Sequence, residues 1–436
     1  MISLLRRRPD FRRLWAAGAV SLCGDWLSMV AVSVLALTHG GGAVAVALVF
    51  AAHTLPAAVL SPVAGALVDR VDRRRVLIIA DLLASLTTAG MAIAAASGSV
   101  TAVQLLLLLR SAITSAVPPG EMAALRRLVP GDELIAANSI LAATWSTAYV
   151  VGMVLGGVAA TLGPTIALAL DAASFAVAAA LHATLPPIPV ASSSRTDVRA
   201  APASPPLGRR PPEVARASRD EAQPGSLVAM IRDTPRDTVV ALRIAFAHRP
   251  LLASVLGKTP LAIAGGAGWI ALNLIAASAH PFGGAALSFG ILQAFRGAGT
   301  GIGPALATWL VGRGTREVVL QHAARVIMLS ALTGLAFARD PLTLALVALA
   351  WGIGTGTNWV MCHVAIQRHA PDRVIGRLGA FDELLTSVAM ATGAVVAALV
   401  AERSGLVESS LTGVGLGLAG LTIVAILVAR APAAPT

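Results

Sequence analysis

The chain has 436 residues, of which 56% are hydrophobic and 13% charged, with 33 lysines and arginines against 22 acids for a formal net charge of +11. So little polar material cannot coat a globule of this size in water, which excludes a soluble domain. The arginines fall in short clusters between long apolar runs, which excludes a folded nucleic-acid surface and leaves a bilayer as the fitting solvent.

At about 20 apolar residues per crossing, a first span is predicted over 14–37. It follows Arg6, Arg7, Arg8, Arg12 and Arg13. It is too long for a signal-peptide core, carries Gly24, Asp25 and Trp26 at its centre and ends without a small-x-small cleavage pattern, so it reads as retained. Spans near 43–68, 76–97, 100–125, 137–162 and 164–185 complete an N-terminal six-helix bundle over 1–185. Residues 186–225, opening with Pro186, Pro187 and Pro189, are too poor in apolar surface to fold and read as a disordered cytoplasmic linker. Over 226–249 an amphipathic pattern (Leu227, Met230, Ile231, Leu242, Phe246 among arginines and aspartates) predicts a helix lying on the cytoplasmic face. Spans near 250–277, 285–311, 318–338, 341–367, 379–401 and 407–430 form a C-terminal bundle over 250–436. The expected fold class is an all-α membrane protein of twelve transmembrane helices in two pseudo-symmetric six-helix bundles.

With both termini cytoplasmic, nearly every Lys and Arg falls on the inner side. Only Arg339 and Arg403 face out, and Arg110, Lys258, Arg296 and Arg325 lie within spans. That bias predicts a multi-pass protein of the inner (plasma) membrane. Cys23 and Cys362 lie far apart inside apolar segments, so neither a disulfide framework nor a metal site is expected, and both read as small buried hydrophobes. An internal repeat supports two halves: Arg126 to Ile135 after span four is echoed by Gln367 to Ile375 after span ten, each placing a proline (Pro130, Pro371) ahead of a helix.

Gly65-Ala66-Leu67-Val68-Asp69-Arg70-Val71-Asp72-Arg73-Arg74-Arg75 between spans two and three resembles the G-x-L-a-D-R-x-G-R-R signature of the major facilitator superfamily, with Asp72 where that family usually has glycine. Phe11 to Trp15, Gly24 to Leu27, Leu125 to Asn138 and Ala247 to Leu251 are similar to an efflux branch containing enterobactin exporter-like and macrolide efflux-like proteins. The resemblance covers nearly the whole chain. It implies the superfamily fold, alternating access, proton-driven export and a conformational-switch role for Gly65, Asp69, Arg70, Arg73, Arg74 and Arg75. The glycine spacing of the antiporter pattern is present at Gly152 and Gly156-Gly157, without its usual proline.

A charge at the bilayer centre costs roughly 2.5 to 3.5 kcal/mol on insertion scales, so each asks for a partner or a wet cavity. Asp25 and Arg110 fall at similar mid-depth and are expected to face one another, either as a protonation-responsive pair or as a permanent bridge. Asp171 is a second protonation candidate, or pairs with a polar neighbour. Asp81 is expected within reach of the cytoplasmic arginines, and Glu121, Asp382 and Glu383 near the headgroups. For a substrate cavity the candidates are Trp26, Met29, His53, Trp145, Trp269, Asn273, Gln293, Arg296, Asn358, Trp359 and His363, with Lys258 and Trp351 beside them. Gln293 and Arg296 are placed to hold an anionic substrate group or to bond a carbonyl. The run Gly297 to Pro304 follows no strand and precedes no lysine, so it reads as a helix-contact stripe rather than a phosphate loop.

No nucleotide-hydrolysis motif, nucleophile elbow or metal box occurs, so neither an enzyme nor a resident cofactor is expected. The expectation is a secondary transporter, a proton-coupled exporter of an amphiphilic or drug-like small molecule. Its partners would be that substrate, protons and the bilayer, with no nucleic acid, and it is expected to be a monomer. The alternatives are a proton-coupled importer of a metabolite and a non-transporting membrane interaction protein that keeps the fold.

Overall fold

A computed structural model describes residues 2–39, 41–68, 70–189, 243–370 and 375–430. Most of the predicted linker and interfacial helix lies outside the described residues, as do Asp69 of the signature and the proline of the second repeat. The described residues are helical, with no strand among them. Lipid supplies no hydrogen bonds, so long Ala-, Leu-, Val- and Gly-rich segments must satisfy their own amides, and helices do so.

The short α1 (Ile2–Arg7) leads into α2 (Pro9–Thr38), followed by α3 (Gly42–Val68), α4 (Arg73–Ala96), α5 (Val100–Thr114), α6 (Val117–Leu128), α7 (Leu134–Thr161) and α8 (Pro164–Ala183). The second half contains α9 (Arg249–Leu256), α10 (Thr259–Ala279), α11 (Ala285–Gly312), α12 (Glu317–Phe337), α13 (Pro341–His369), α14 (Ile375–Ser404) and α15 (Leu406–Arg430). Proline opens α2, α8 and α13, where its missing N–H is harmless. Asp72, Ser99 and Asp340 cap α4, α5 and α13 with side-chain oxygens. Two predicted spans are interrupted: the fourth divides at Ser115 and Ala116 into α5 and α6, the seventh at Gly257 and Lys258 into α9 and α10.

Eleven segments of the described chain are both long and apolar enough to cross a membrane. The predicted eighth span, α11, is not among them although it has 28 residues. Gln293, Arg296 and a run of glycines on its protein-facing sides dilute its hydropathy, while Ile302, Leu306 and Trp309 keep an exposed apolar face. Side chains that do meet the acyl chains are large and apolar, such as Leu86 and Ile93, 70% and 73% exposed.

The two halves meet through α7 against α11 and α3 against α14. Both seams lie toward the arginine-poor end. There Gly157 backs onto Ala286, Leu287 and Gly290, and the Val44 amide donates to Glu402 Oε1 at 3.1 Å. One apolar core, including Met29, Val46, Phe50 and Met153 from the first half and Ile270, Phe289 and Ala394 from the second, runs across this end. At the arginine-rich end the apolar clusters stay within their own halves: Phe11, Leu14, Leu77 and Leu125 in one, Leu251, Val255, Ile366 and Leu378 in the other. Among the described residues, then, the bundles are sealed at one end and part at the other.

The signature segment ties α4 to the end of α8. Arg74 donates to the Ala183 carbonyl at 2.5 Å, and Arg73 to the Pro189 carbonyl at 2.8 Å, its amide reaching Ile188. Cations on the last carbonyls of a helix are favoured by its dipole. These contacts correct one expectation. Residues 186–189, read as the start of a disordered linker, are anchored, with Ile188 buried. Gly65 of the signature has nothing within 4 Å of where a Cβ would stand in this arrangement. Asp72, the departure from the family pattern, has its own use: it accepts the Arg75 amide at 3.0 Å and starts α4.

Candidate functional site

At the middle of α2, Gly24 leaves room for the side chains of α8: a Cβ there would fall 2.0 Å from Ser174 Oγ and 2.6 Å from Asp171 Oδ1. This close approach carries Asp25 and Asp171 to the same guanidinium on α5. Arg110 donates to Asp25 Oδ1 at 2.5 Å, to Asp171 Oδ2 at 2.7 Å and to Ser28 Oγ at 3.1 Å. The Phe175 ring lies beside it, 5.7 Å from the guanidinium carbon. Arg110 and Asp171 are sealed in, at 1% and 0% side-chain exposure, whereas Asp25 is 24% exposed and its second oxygen stands 3.9 Å from His53 Nε2. The cluster therefore sets two carboxylates against one guanidinium, and only one of its acids, Asp25, is partly exposed.

From His53 an aromatic chain continues into the other half. Trp26 packs on His53, Trp145 and Tyr149 with ring centroids 5.5, 6.1 and 4.5 Å apart. Across the seam, the Tyr149 hydroxyl donates to Gln293 Oε1 at 2.9 Å and accepts from Arg296. Arg296 also donates to Gln293 at 2.6 Å. Its guanidinium lies 5.0 Å from the Tyr149 ring, 4.9 Å from Trp351 and 5.9 Å from Trp269. Trp269 in turn contacts Phe50 and Phe289. Trp26, His53, Trp145, Trp269, Gln293 and Arg296 are thus brought together.

The remaining cavity candidates are placed elsewhere. Met29 is 1% exposed in the sealed core. Asn273 is buried and donates to the Trp269 carbonyl of its own helix. Asn358, Trp359 and His363 belong to a second polar group nearer the arginine-rich end. There Lys258, at the break between α9 and α10, pairs with Asp382 of α14, both side chains 1% exposed. The Lys258 ammonium lies 4.3 Å from the Trp359 ring centre, and Arg325 donates to Asn358 Oδ1 at 3.3 Å.

Asp382 therefore sits against Lys258 in the interior, not among headgroups as expected, while Glu383 is exposed. Lys258 is neutralised rather than presented to a cavity. A buried ion pair is commonly replaced by apolar side chains at little loss, because neither charge then needs desolvating. The double substitution Lys258→Met with Asp382→Leu is expected to leave thermal stability within about 1 kcal/mol of wild type or raise it, read as the melting temperature in detergent. A marked fall would show that the pair does more than neutralise itself.

Asp81 likewise departs from expectation: it bonds His182 Nδ1 at 2.7 Å, both buried, and does not reach the arginines. Glu121 lies against Gly18 of α2. Cys362 is buried as read, bonded by Gln321, whereas Cys23 is only partly buried. An apolar cleft of about 410 Å³ on the flank of α3, α4 and α5, lined by Leu60, Ala64, Ile79 and Leu83, contains no charged group.

Sequence reasoning missed Tyr149, Ser28 and His182. Tyr149 had a signal, being the only tyrosine of the chain and lying within an apolar span. Ser28 stands one turn from Asp25, a spacing that places both on one helix face.

A profile of the Major Facilitator Superfamily matches residues 14–257, more than half of the chain. The chain belongs to that superfamily. The superfamily's fold is also what solved structures resemble. The nucleoside transporter NupG superposes with a TM-score of 0.66 at 15% identity, covering 96% of this chain and 98% of that one. A bacterial homologue of the human lysosomal transporter Spinster gives 0.67 at 13%, covering 97% and 95%. Likeness at such identities concerns the fold alone.

Among curated superfamily relatives, the multidrug efflux pump Tap of Mycolicibacterium fortuitum is 34% identical over 178 residues, 39% of this chain and 43% of that protein. The protein of the same name from Mycobacterium tuberculosis is 32% identical over 177 residues, 39% of this chain and 42% of that one. The matched region thus spans less than half the length of these relatives. An MFS-type transporter, YfiS of Bacillus subtilis, is 27% identical over 155 residues, 35% of this chain and 36% of that protein. A multi-pass membrane protein of this superfamily is therefore the coarse assignment.

Proposed function

We propose that this protein is a proton-driven exporter of amphiphilic or drug-like compounds, working by alternating access with its arginine-rich end in the cytoplasm. The observation that carries the reading is the Arg110 cluster: two carboxylates share one guanidinium, and one of them, Asp25, stays partly exposed beside His53. With both acids ionised the cluster has one negative charge in excess, and a single proton on it restores neutrality around the buried Arg110 and Asp171. Coupling requires that proton occupancy favour one arrangement of the bundles over the other, since equal affinity in both shifts nothing. The route from Asp25 through His53 and Trp26 to Tyr149 and the seam supplies contiguous contacts by which the two can be linked.

The positive-inside bias supports the orientation, so that the arrangement described here is open to the cytoplasm and receptive to an internal substrate. The name carried by the Tap relatives supports export. Against a merely structural role for the fold stands the exposure of Asp25, a carboxylate left partly free at mid-membrane, where a fully paired one would be cheaper.

The test is flux of amphiphilic fluorescent dyes in proteoliposomes with an imposed pH gradient. Wild type should drive dye against its own gradient, and Asp25→Asn should lose that uphill component while retaining downhill exchange. Unchanged uphill flux in Asp25→Asn removes Asp25 from the coupling. Accumulation in the same direction as proton flow makes the protein an importer.

A further inference from the structure

We infer that the inter-bundle space recognises a planar, aromatic compound bearing an anionic group, with Arg296 as its counter-charge. This deepens the transport reading and rests on the space between the bundles being the substrate site.

Within the interior, Arg110 has two carboxylates and Lys258 has one. Arg296 has no acid within ion-pair distance among the described residues. Its hydrogen-bond partners are neutral: the Tyr149 hydroxyl and Gln293 Oε1. Aromatic faces flank the guanidinium, and cation–π contact of this kind holds a charge without cancelling it. An uncompensated cation at this depth is expensive, and its planar fork is shaped for bidentate contact with a carboxylate.

The neighbouring polar atoms have the same bias. Gln293 Nε2 and the indole N–H groups of Trp26, Trp269 and Trp351 are buried without a hydrogen-bond partner. All four are donors, and buried donors are normally satisfied. Asn273 Oδ1, one turn along α10 from Trp269, is the unpartnered acceptor nearby. An excess of donors over acceptors calls for a ligand rich in acceptor oxygens, and the rings of Trp26 and Trp145, the less buried of the group, offer faces and edges for a flat body. Because the hydroxyl bonded to Arg296 comes from α7 and Arg296 itself from α11, an anionic group that takes the guanidinium also withdraws a bond from the seam.

The experiment uses the purified full chain in detergent at neutral pH with three probes on one ring system: 2-naphthoate, its neutral amide and the cationic 2-naphthylmethylammonium. Affinity is read by titration calorimetry. Naphthoate should bind about tenfold tighter than the amide, and the ammonium compound weakest. Arg296→Gln should lose that preference, with amide affinity changed less than about threefold, and Arg296→Lys should keep part of it.

Tyr149→Phe frees the guanidinium of its hydroxyl and should hold or strengthen naphthoate binding. Equal affinities, a preference for the cation, no binding of any probe, or unchanged discrimination in Arg296→Gln would each overturn the assignment. The wild-type probe series decides the matter even if a variant fails to fold. It involves no gradient, so a failure of proton-driven flux and a failure of anion recognition are separate results.

Discussion

Replacing Arg110 by leucine is expected to abolish uphill flux and to lower the thermal stability of the protein more than any surface change. The guanidinium is 1% exposed and satisfies Asp25, Asp171 and Ser28 at once. Removing it leaves two carboxylates facing each other in an apolar bundle. Breaking a buried ion pair by deleting one partner costs roughly 3 to 5 kcal/mol, because the surviving charge keeps its desolvation penalty. Here two such charges survive. Melting followed by tryptophan fluorescence in detergent measures the loss.

The triple variant Arg110→Leu, Asp25→Asn, Asp171→Leu should recover most of the stability and none of the uphill flux, since the charges are gone but so is the proton site. A leucine at 110 that melts like wild type would refute the energetic account of the cluster. Recovery of flux in the triple variant would refute its role in coupling.

The second large effect concerns which end of the molecule is closed. A Cβ at Gly290 on α11 would stand 2.3 Å from the Met153 carbonyl and 3.0 Å from Gly157 Cα of α7, across the seam. Backbone on both sides cannot rotate away. Overpacking of this sort costs about 1 to 3 kcal/mol, charged here only to the arrangement in which the arginine-poor end is sealed. Gly290→Val should therefore shift the balance toward opening at that end by roughly 5- to 150-fold.

Spin labels at Ser97 and Ser278, in a background lacking Cys23 and Cys362, should report a longer distance population there. Gly352→Val is the control: its Cβ would strike the Arg296 carbonyl at 1.9 Å, inside one bundle. That clash exists in every arrangement, so it should depress stability without lengthening the Ser97 to Ser278 distance. Equal distance distributions in wild type and Gly290→Val would show that the seam at Gly290 does not control closure.

The helices were legible because lipid leaves only one way to satisfy a long apolar backbone, and the charge bias between them orders the loops. Even α11, the most diluted of the twelve predicted spans, is legible as a span from about 20 residues of mainly apolar sequence. The mid-depth partners were legible in part. Asp25 and Arg110 sit at matching depths on helices of one bundle, and depth can be counted along a helix. Which face each residue presents cannot be counted that way. Hence Asp171 was not assigned to Arg110, and Asp382 and Asp81 were given to the headgroups and arginines while Lys258 and His182 lay opposite them. The seam residue Tyr149 was hidden for another reason: its partners Gln293 and Arg296 are about 145 residues away, on a helix of the other half.

The glycines of α11 divide between two faces. Gly297 and Gly301 lie against Tyr149 and Ser146 of α7, Gly299 and Gly303 against the Leu349 and Ile353 backbone of α13. One helix is thus whittled down on both sides, toward α13 of its own half and toward α7 of the other. Main chain meets main chain along α13, and on the α7 side only where Gly290 faces Gly157; at Gly297 and Gly301 the missing side chains make room for Tyr149 and Ser146 instead. Closeness on both flanks thus depends on absent side chains, so a single methyl group added on the α7 side wedges the halves apart while one added on the α13 side injures a bundle from within.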